Sequence, residues 1–184
     1  CGTHIEQSRT MPESGFRIGL HLNGKEELFE GNKDMPLLTW LRSDKQITSP
    51  KDGCSGQGAC GACLVEINGS AALACRTPMK KLAGARVVTI EGFDPELKDL
   101  LAKAFVKTGA VQCGFCTPGF LTRAKILLEL IDLPTDEDIR KFMGTNLCRC
   151  TGYQKIIEAV ILAARCRHDN RPIQLTETAG VGED

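Results

Sequence analysis

A chain of 184 residues with 23 Lys+Arg against 23 Asp+Glu has room for one ordinary domain or two small ones, and its balanced charge excludes a strong electrostatic pull toward nucleic acid or an acidic membrane surface. A quarter of the residues are charged and 42% are hydrophobic, and no apolar run approaches the ~18 residues of a membrane span. Ten cysteines are far above ordinary usage, so their spacing has to decide between disulfides and metal ligation.

Residues 1–14 (CGTHIEQSRTMPES) carry neither a helical nor a strand period and read as an N-terminal arm. The chain begins at Cys1 rather than Met, so it is expected to be processed or truncated. The location reads as cytoplasmic, or periplasmic if an N-terminal signal was removed. From Phe16 the pattern changes: Phe16, Ile18, Leu20 and Leu22 alternate with Arg17, Gly19, His21 and Asn23, the mark of a half-buried strand. Asn23-Gly24 is a type I′ hairpin signal, with Glu27–Glu30 as the returning strand. Met35-Pro36 opens a short helix with Leu37, Leu38 and Leu41 on one stripe. A Gly-rich loop from Gly53 to Cys63 follows, then LVEI, Asn68-Gly69 and AALAC as a second hairpin, and Val87–Ile90 as a last strand. These elements form a small α+β unit with a mixed sheet curled over one helix.

Beyond Gly92 the signal is helical. Asp94-Pro95 is an N-cap with Pro at the first helical position, and Gly109 ends that helix. Pro118 opens FLTRAKILLELI, Thr135 caps DEDIRKFM, which Gly144 terminates, and a last helix runs from about Tyr153 to Arg165. The division is therefore 1–14 arm, 15–93 sheet-bearing domain, 94–166 four-helix domain and 167–184 extended tail or linker.

Cysteines one, two or five residues apart close loops too small to staple a fold, but they suit thiolates converging on a metal centre. The first set is Cys54-x5-Cys60-x2-Cys63-x11-Cys75, with Gly53, Gly56, Gly58 and Gly61 around it. Wrapping four thiolates around a [2Fe–2S] rhomb needs a loop that can turn tightly and point N–H groups at sulfur, which the glycines allow. A four-cysteine zinc site is the alternative, although zinc ligands usually come as two C-x2-C pairs, each on its own turn. The second set is Cys113-x2-Cys116-x31-Cys148-x-Cys150. Each pair precedes a helix, so two positive helix N-termini are expected to face one anionic site. Two redox-active dithiols are the plainer alternative.

The stretches CGFCTPGF (113–120) and LCRCTGY (147–153), preceded by CGAC (60–63), closely resemble the two-cluster iron–sulfur subunit of the molybdenum hydroxylases. That family includes xanthine dehydrogenase, aldehyde oxidoreductase and aerobic-type carbon monoxide dehydrogenase. The resemblance spans residues 16–166. It implies an α+β fold in which an N-terminal β-grasp, plant-type ferredoxin domain is followed by a four-helix all-α domain, each holding one [2Fe–2S] cluster. It also implies that Gln112 and Cys150 approach the pterin of a molybdopterin-type cofactor, with Mo or W, held by a large partner subunit or domain. FAD on a further partner, or another acceptor, would receive the electrons. One departure is visible: five residues separate Cys54 from Cys60 where the family's loop has four, the longer spacing that adrenodoxin-type ferredoxins use. The closing VGED resembles the lead-in to the molybdenum-binding part of single-chain relatives. On this reading the chain transfers electrons and does not turn over substrate itself, since it shows no nucleophile–base pair and no Rossmann glycine fingerprint. A zinc-binding scaffold or redox-sensor module, and a free two-cluster ferredoxin, are the rival readings.

Cys1 and Cys166 fall outside both sets. Cys166 reads as a small buried hydrophobe, and Cys1 as an arm residue or a lipidated first residue of a processed lipoprotein. His4, His21 and His168 lack ligand spacing, and His21 is expected to face solvent. Trp40 reads as helix-packing core. Lys80-Lys81 and the Arg123–Lys125 stretch read as solvated faces rather than docking surfaces.

Overall fold

The computed structural model describes residues 15–175. The expected arm with Cys1 and His4, and the closing VGED, lie outside the described residues. Strands β1 (Phe16–Leu22) and β2 (Lys25–Gly31) pair antiparallel across Asn23-Gly24, both left-handed as a type I′ turn demands. Helix α1 (Leu37–Ser43) follows, then β3 (Leu64–Ile67) and β4 (Ser70–Leu73) as a second antiparallel hairpin. Strand β5 (Arg86–Val88) lies parallel to β1 and antiparallel to β3, giving a mixed five-stranded sheet of order β2-β1-β5-β3-β4. The alternation in β1 puts Ile18, Leu20 and Leu22 into a core with Phe29, Val65 and Val87, and α1 closes it with Leu37, Leu38, Trp40 and Leu41. Trp40 meets Phe29 edge to face at 6.1 Å. As expected, His21 is exposed.

Two strand ends differ from the sequence reading. The last strand stops at Val88, because the N–H of Thr89 is taken at 2.8 Å by the side-chain oxygen of Asn23 instead of a neighbouring strand, and Ile90–Gly92 form one 3-10 turn. Likewise Ala74–Arg76 leave β4 in a 3-10 turn, so Cys75 sits past the hairpin and not on its strand.

After Phe93 come α2 (Pro95–Thr108), α3 (Thr117–Leu130), α4 (Asp136–Met143) and α5 (Gln154–His168). Their ends obey local chemistry. The Asp94 side chain accepts from the N–H groups of Glu96 and Leu97, Gly109 closes α2 in the left-handed region, and Thr135 with Asp138 forms a reciprocal capping box. The helices enclose a second core around Leu101, Phe105, Phe120, Leu127, Ile139, Ile156 and Val160, which also holds Cys166. Within the segment after Cys166, α5 runs on to His168 and Ile173 returns to that core. Among the described residues no helix is long and apolar enough to cross a membrane.

The Arg123–Lys125 stretch is not a solvated face. Helix α3 packs across β3, and Lys125, 8% exposed, ion-pairs at 2.6 Å with Glu66 of β3 and at 2.7 Å with Glu129 one turn along α3. Its ammonium also lies 5.9 Å from the Phe93 ring centroid. A cation this buried needs partners. Burial pushes its pKa down, but the hydrogen bonds and charges of Glu129 and Glu66 outweigh that and hold it above the ordinary 10.5. Since the folded value is raised, the stabilisation is complete below the ordinary lysine value and is lost as pH rises through the folded one. Lys125→Met would strand the buried Glu66 carboxylate and lower unfolding free energy by about 3 kcal/mol. Urea denaturation at neutral pH checks this, and Lys125→Met combined with Glu66→Leu should recover much of the loss.

Candidate metal centres

The first cysteine loop leaves the α1 region at Gly53 and returns at Cys63, which leads directly into β3. Cys60 and Cys63 are buried, while Cys54 and Cys75 are half-buried. In the turn after Cys54, Ser55 and Gly56 are both left-handed and the Gln57 N–H reaches the Cys54 carbonyl at 3.1 Å. The peptide N–H groups of Ala59, Cys60 and Gly58 turn toward the Cys54 sulfur and hold its pKa down to about 7. Cys63 is in the opposite situation: burial pushes its thiol up to about 12, against the N–H of Cys75. Cys54 is hydrogen-bonded with Cys60 and Cys63 with Cys75, and Cys60 also lies close enough to Cys63 for its charge to act there.

The second set joins two segments that the sequence holds far apart. Cys116 is the N-cap residue of α3, and Cys113 stands three residues before it, exposed. Cys150 Sγ lies 3.6 Å from Cys113 Sγ, and Cys148 contacts Cys116. Burial pushes the Cys116 thiol up to about 12. Burial also raises Cys148, but the Thr151 hydroxyl at 3.1 Å and the N–H groups of Thr151 and Cys150 outweigh it, leaving that thiol below its ordinary value. At this end the intervening turn, not the first turn of α5 as expected, supplies the donors. The turn is pinned by Tyr153, left-handed at φ 70°, whose hydroxyl accepts the Cys148 N–H at 3.0 Å and whose ring meets Phe120 edge to face.

Every thiol of both sets thus has a hydrogen-bonded thiol partner within its own set. Four thiolates on one tetrahedral ion with metal–sulfur bonds of about 2.3 Å would all lie roughly 3.7 Å from one another. Among the described residues no three or more His, Cys, Asp or Glu side chains converge in that way. Two thiols to each of two metals would suit these pairs, and the N–H groups turned toward the cysteine sulfurs would stabilise their negative charge.

Gln112 is exposed beside Cys113, and Cys150 is exposed on the same side, so the two expected pterin contacts share one face. Val111, Phe115, Leu147 and Tyr153, all exposed, lie within three residues of Gln112 or Cys150 in the chain. Spacing did not single out Asn146, Arg123 or Tyr153, although all three brace the second set. The one available signal was proximity, since Asn146 and Tyr153 flank the C-x-C motif.

Residues 20–80 match the family model of a 2Fe-2S iron-sulfur cluster binding domain, and residues 89–161 that of a [2Fe-2S] binding domain. Over 151 residues the chain is 44% identical to the nicotinate dehydrogenase small FeS subunit of Eubacterium barkeri, an alignment covering 81% of this chain and 96% of that protein. It is 42% identical over 155 residues to the aldehyde oxidoreductase of Megalodesulfovibrio gigas, covering 82% of this chain and 17% of that longer protein. Among solved structures, quinoline 2-oxidoreductase from Pseudomonas putida 86 superposes with a TM-score of 0.78 at 35% identity, covering 86% of this chain and 99% of the matched one.

Because thiolate is the nucleophile in alkylation, metal-free protein treated briefly with iodoacetamide near pH 7 should be labelled at Cys54 well before Cys63 or Cys116. Peptide mass spectrometry reads the order, and equal labelling of the three would contradict the contrast between an N–H-rich sulfur and buried ones.

Proposed function

Given that this chain belongs to the two-cluster iron–sulfur subunits of the molybdenum hydroxylases, we propose that Cys54, Cys60, Cys63 and Cys75 hold one [2Fe–2S] cluster and Cys113, Cys116, Cys148 and Cys150 the other. The chain is an electron-transfer subunit of an oxidoreductase. The single observation that carries the residue assignment is the pairing of thiols two by two in both sets. The sheet with α1, residues 15–93, is read as a β-grasp ferredoxin domain, and residues 94–166 as a four-helix domain followed by a tail.

Bound there, each cluster supplies a one-electron carrier. The chain's own residues set its surroundings. The N–H groups of Ala59, Cys60 and Gly58 stabilise negative charge on the Cys54 sulfur, and the Thr151 N–H and hydroxyl do so at Cys148. Exposure supports a direction. The second set presents Cys113, Cys150 and Gln112 within an apolar rim, a face suited to burial against a molybdenum-cofactor partner. There Gln112 can offer both an amide donor and an acceptor to a pterin edge, and Cys150 brings its sulfur to the same edge. The half-buried Cys54 loop is read as the exit toward FAD or another acceptor. The partner's substrate is read as a small aldehyde or heterocycle, in keeping with the names of the relatives.

Two clusters imply four irons and four sulfides per chain, and reduced protein should give two distinct EPR signals of spin one-half. Zinc, or a single signal with two irons, would end the assignment of one set. Cys150→Ser should abolish or alter one signal and spare the other; equal damage to both would contradict the division of ligands. In the assembled enzyme, Gln112→Ala should leave both clusters intact yet slow their reduction by substrate. An unchanged reduction rate would remove the pterin contact from the reading.

A further inference from the structure

We propose that Asn146, braced by Arg123, is a positioning residue that holds a hydrogen-bonded bridge between the two cysteine sets; this rests on the cluster assignment above. The bridge itself is backbone. The Leu147 N–H donates to the Cys60 carbonyl at 2.9 Å, and Leu147 is bonded directly to Cys148. A continuous route therefore runs from the Cys148 sulfur along its side chain to the peptide nitrogen. It continues through Leu147, across one hydrogen bond to the Cys60 carbonyl, and along the Cys60 side chain to its sulfur. Electronic coupling decays more slowly through bonds and short hydrogen bonds than through gaps, so this route joins the two centres efficiently. It carries one electron and moves no atom: the Cys148 side is oxidised as the Cys60 side is reduced.

The register of that bond depends on the residue just before it. Asn146 is 2% exposed; its Nδ2 donates to the Gly61 carbonyl at 3.3 Å and its Oδ1 accepts from Arg123 Nε at 2.6 Å. Arg123 in turn donates to the Phe142 carbonyl at 2.8 Å and to the Thr145 hydroxyl, so its rigid fork spans the end of α4 and the turn that follows. The adjacent carbonyls of Cys60 and Gly61 are thus gripped by the adjacent residues Leu147 and Asn146, one through backbone and one through a side chain. The approach is too close for larger residues. A Cβ on Gly61, left-handed at φ 72°, would lie 2.7 Å from the Asn146 side chain, and a Cβ on Gly119 of α3 would lie 2.5 Å from the Gly61 oxygen. Phe115, from the Cys113–Cys116 loop, makes a second contact: its ring edge would be 3.1 Å from a Cβ on Gly53, the neighbour of Cys54. A buried amide is costly where packing alone is needed, and here each of its two ends has a partner.

The test uses the full chain loaded with both clusters, comparing Asn146→Ala, Asn146→Asp and Arg123→Lys. Asn146→Ala should keep wild-type iron and sulfide. Losing a buried hydrogen bond weights the balance toward parted loops by about tenfold. After a one-electron pulse, equilibration between clusters should slow by up to that factor, in proportion to the closed fraction lost, and the EPR splitting from their mutual spin coupling should narrow. Asn146→Asp keeps the Arg123 partner but sets an oxygen against the Gly61 carbonyl, so it should show the same loss; Arg123→Lys should show a smaller one. Full iron content with unchanged transfer rate and splitting in Asn146→Ala would overturn the proposal. Should that variant fail to assemble, the same readouts on Asn146→Asp decide. Wild-type protein lacking two iron clusters would instead overturn the cluster assignment, which the iron and sulfide analysis registers separately.

Discussion

The carbonyls of Cys60 and Gly61 are where the sheet-bearing half of the molecule meets the helical half, and the approach there is at the limit that backbone allows. The Gly61 oxygen sits where a side chain on Gly119 would have to go, and Asn146 occupies the space that any side chain on Gly61 would need. With both positions reduced to backbone, the N-terminal turn of α3 lies directly against the first cysteine loop. Cys116 caps that same helix end, so the contact that joins the halves also fixes where the second set stands relative to the first. A loop able to wrap sulfur and a helix start able to cap a thiol are local features. Their separation is set by this one junction.

A buried ion pair reinforces the junction from another side. Lys125 reaches from α3 to Glu66 on β3, with Glu129 completing its hydrogen bonds. Such a pair adds little net stability compared with apolar packing, but a misaligned helix would leave a charge stranded. Its value is in orientation. The two cores are each apolar and would tolerate sliding, whereas the Lys125–Glu66 contact and the Asn146–Gly61 contact are directional and tolerate little.

The two sets differ in who shields them. Cys60 and Cys63 are covered by the chain's own residues, whereas Cys113 and Cys150 are left open within an apolar rim. Burial opposes the free thiolate at Cys63 and Cys116. A metal bound there would supply the compensating positive charge and would couple assembly of each centre to the final packing of its loops. The second set is thus the more open of the two.

Local chemistry was legible in the residues themselves. Alternation from Phe16 to Leu22, the Asn23-Gly24 turn, the Asp94 and Thr135 caps and the Gly109 stop depend only on near neighbours, and they stand where the pattern put them. The spacing of the cysteines likewise marked two groups of four, and the structure brings the members of each group together. What the pattern missed was long-range. Val87–Ile90 looked like one strand until the side chain of Asn23 took the Thr89 N–H. Arg123 and Lys125 looked like solvated charges because sequence shows a side chain's character but not what an element from far along the chain brings against it. The sequence by itself determined the elements and the grouping of the cysteines into two sets. Only the tertiary structure decided which thiol meets which and how closely the two sets approach, because those distances come from contacts between segments far apart in the chain, such as the Asn146 side chain on the Gly61 carbonyl 85 residues away.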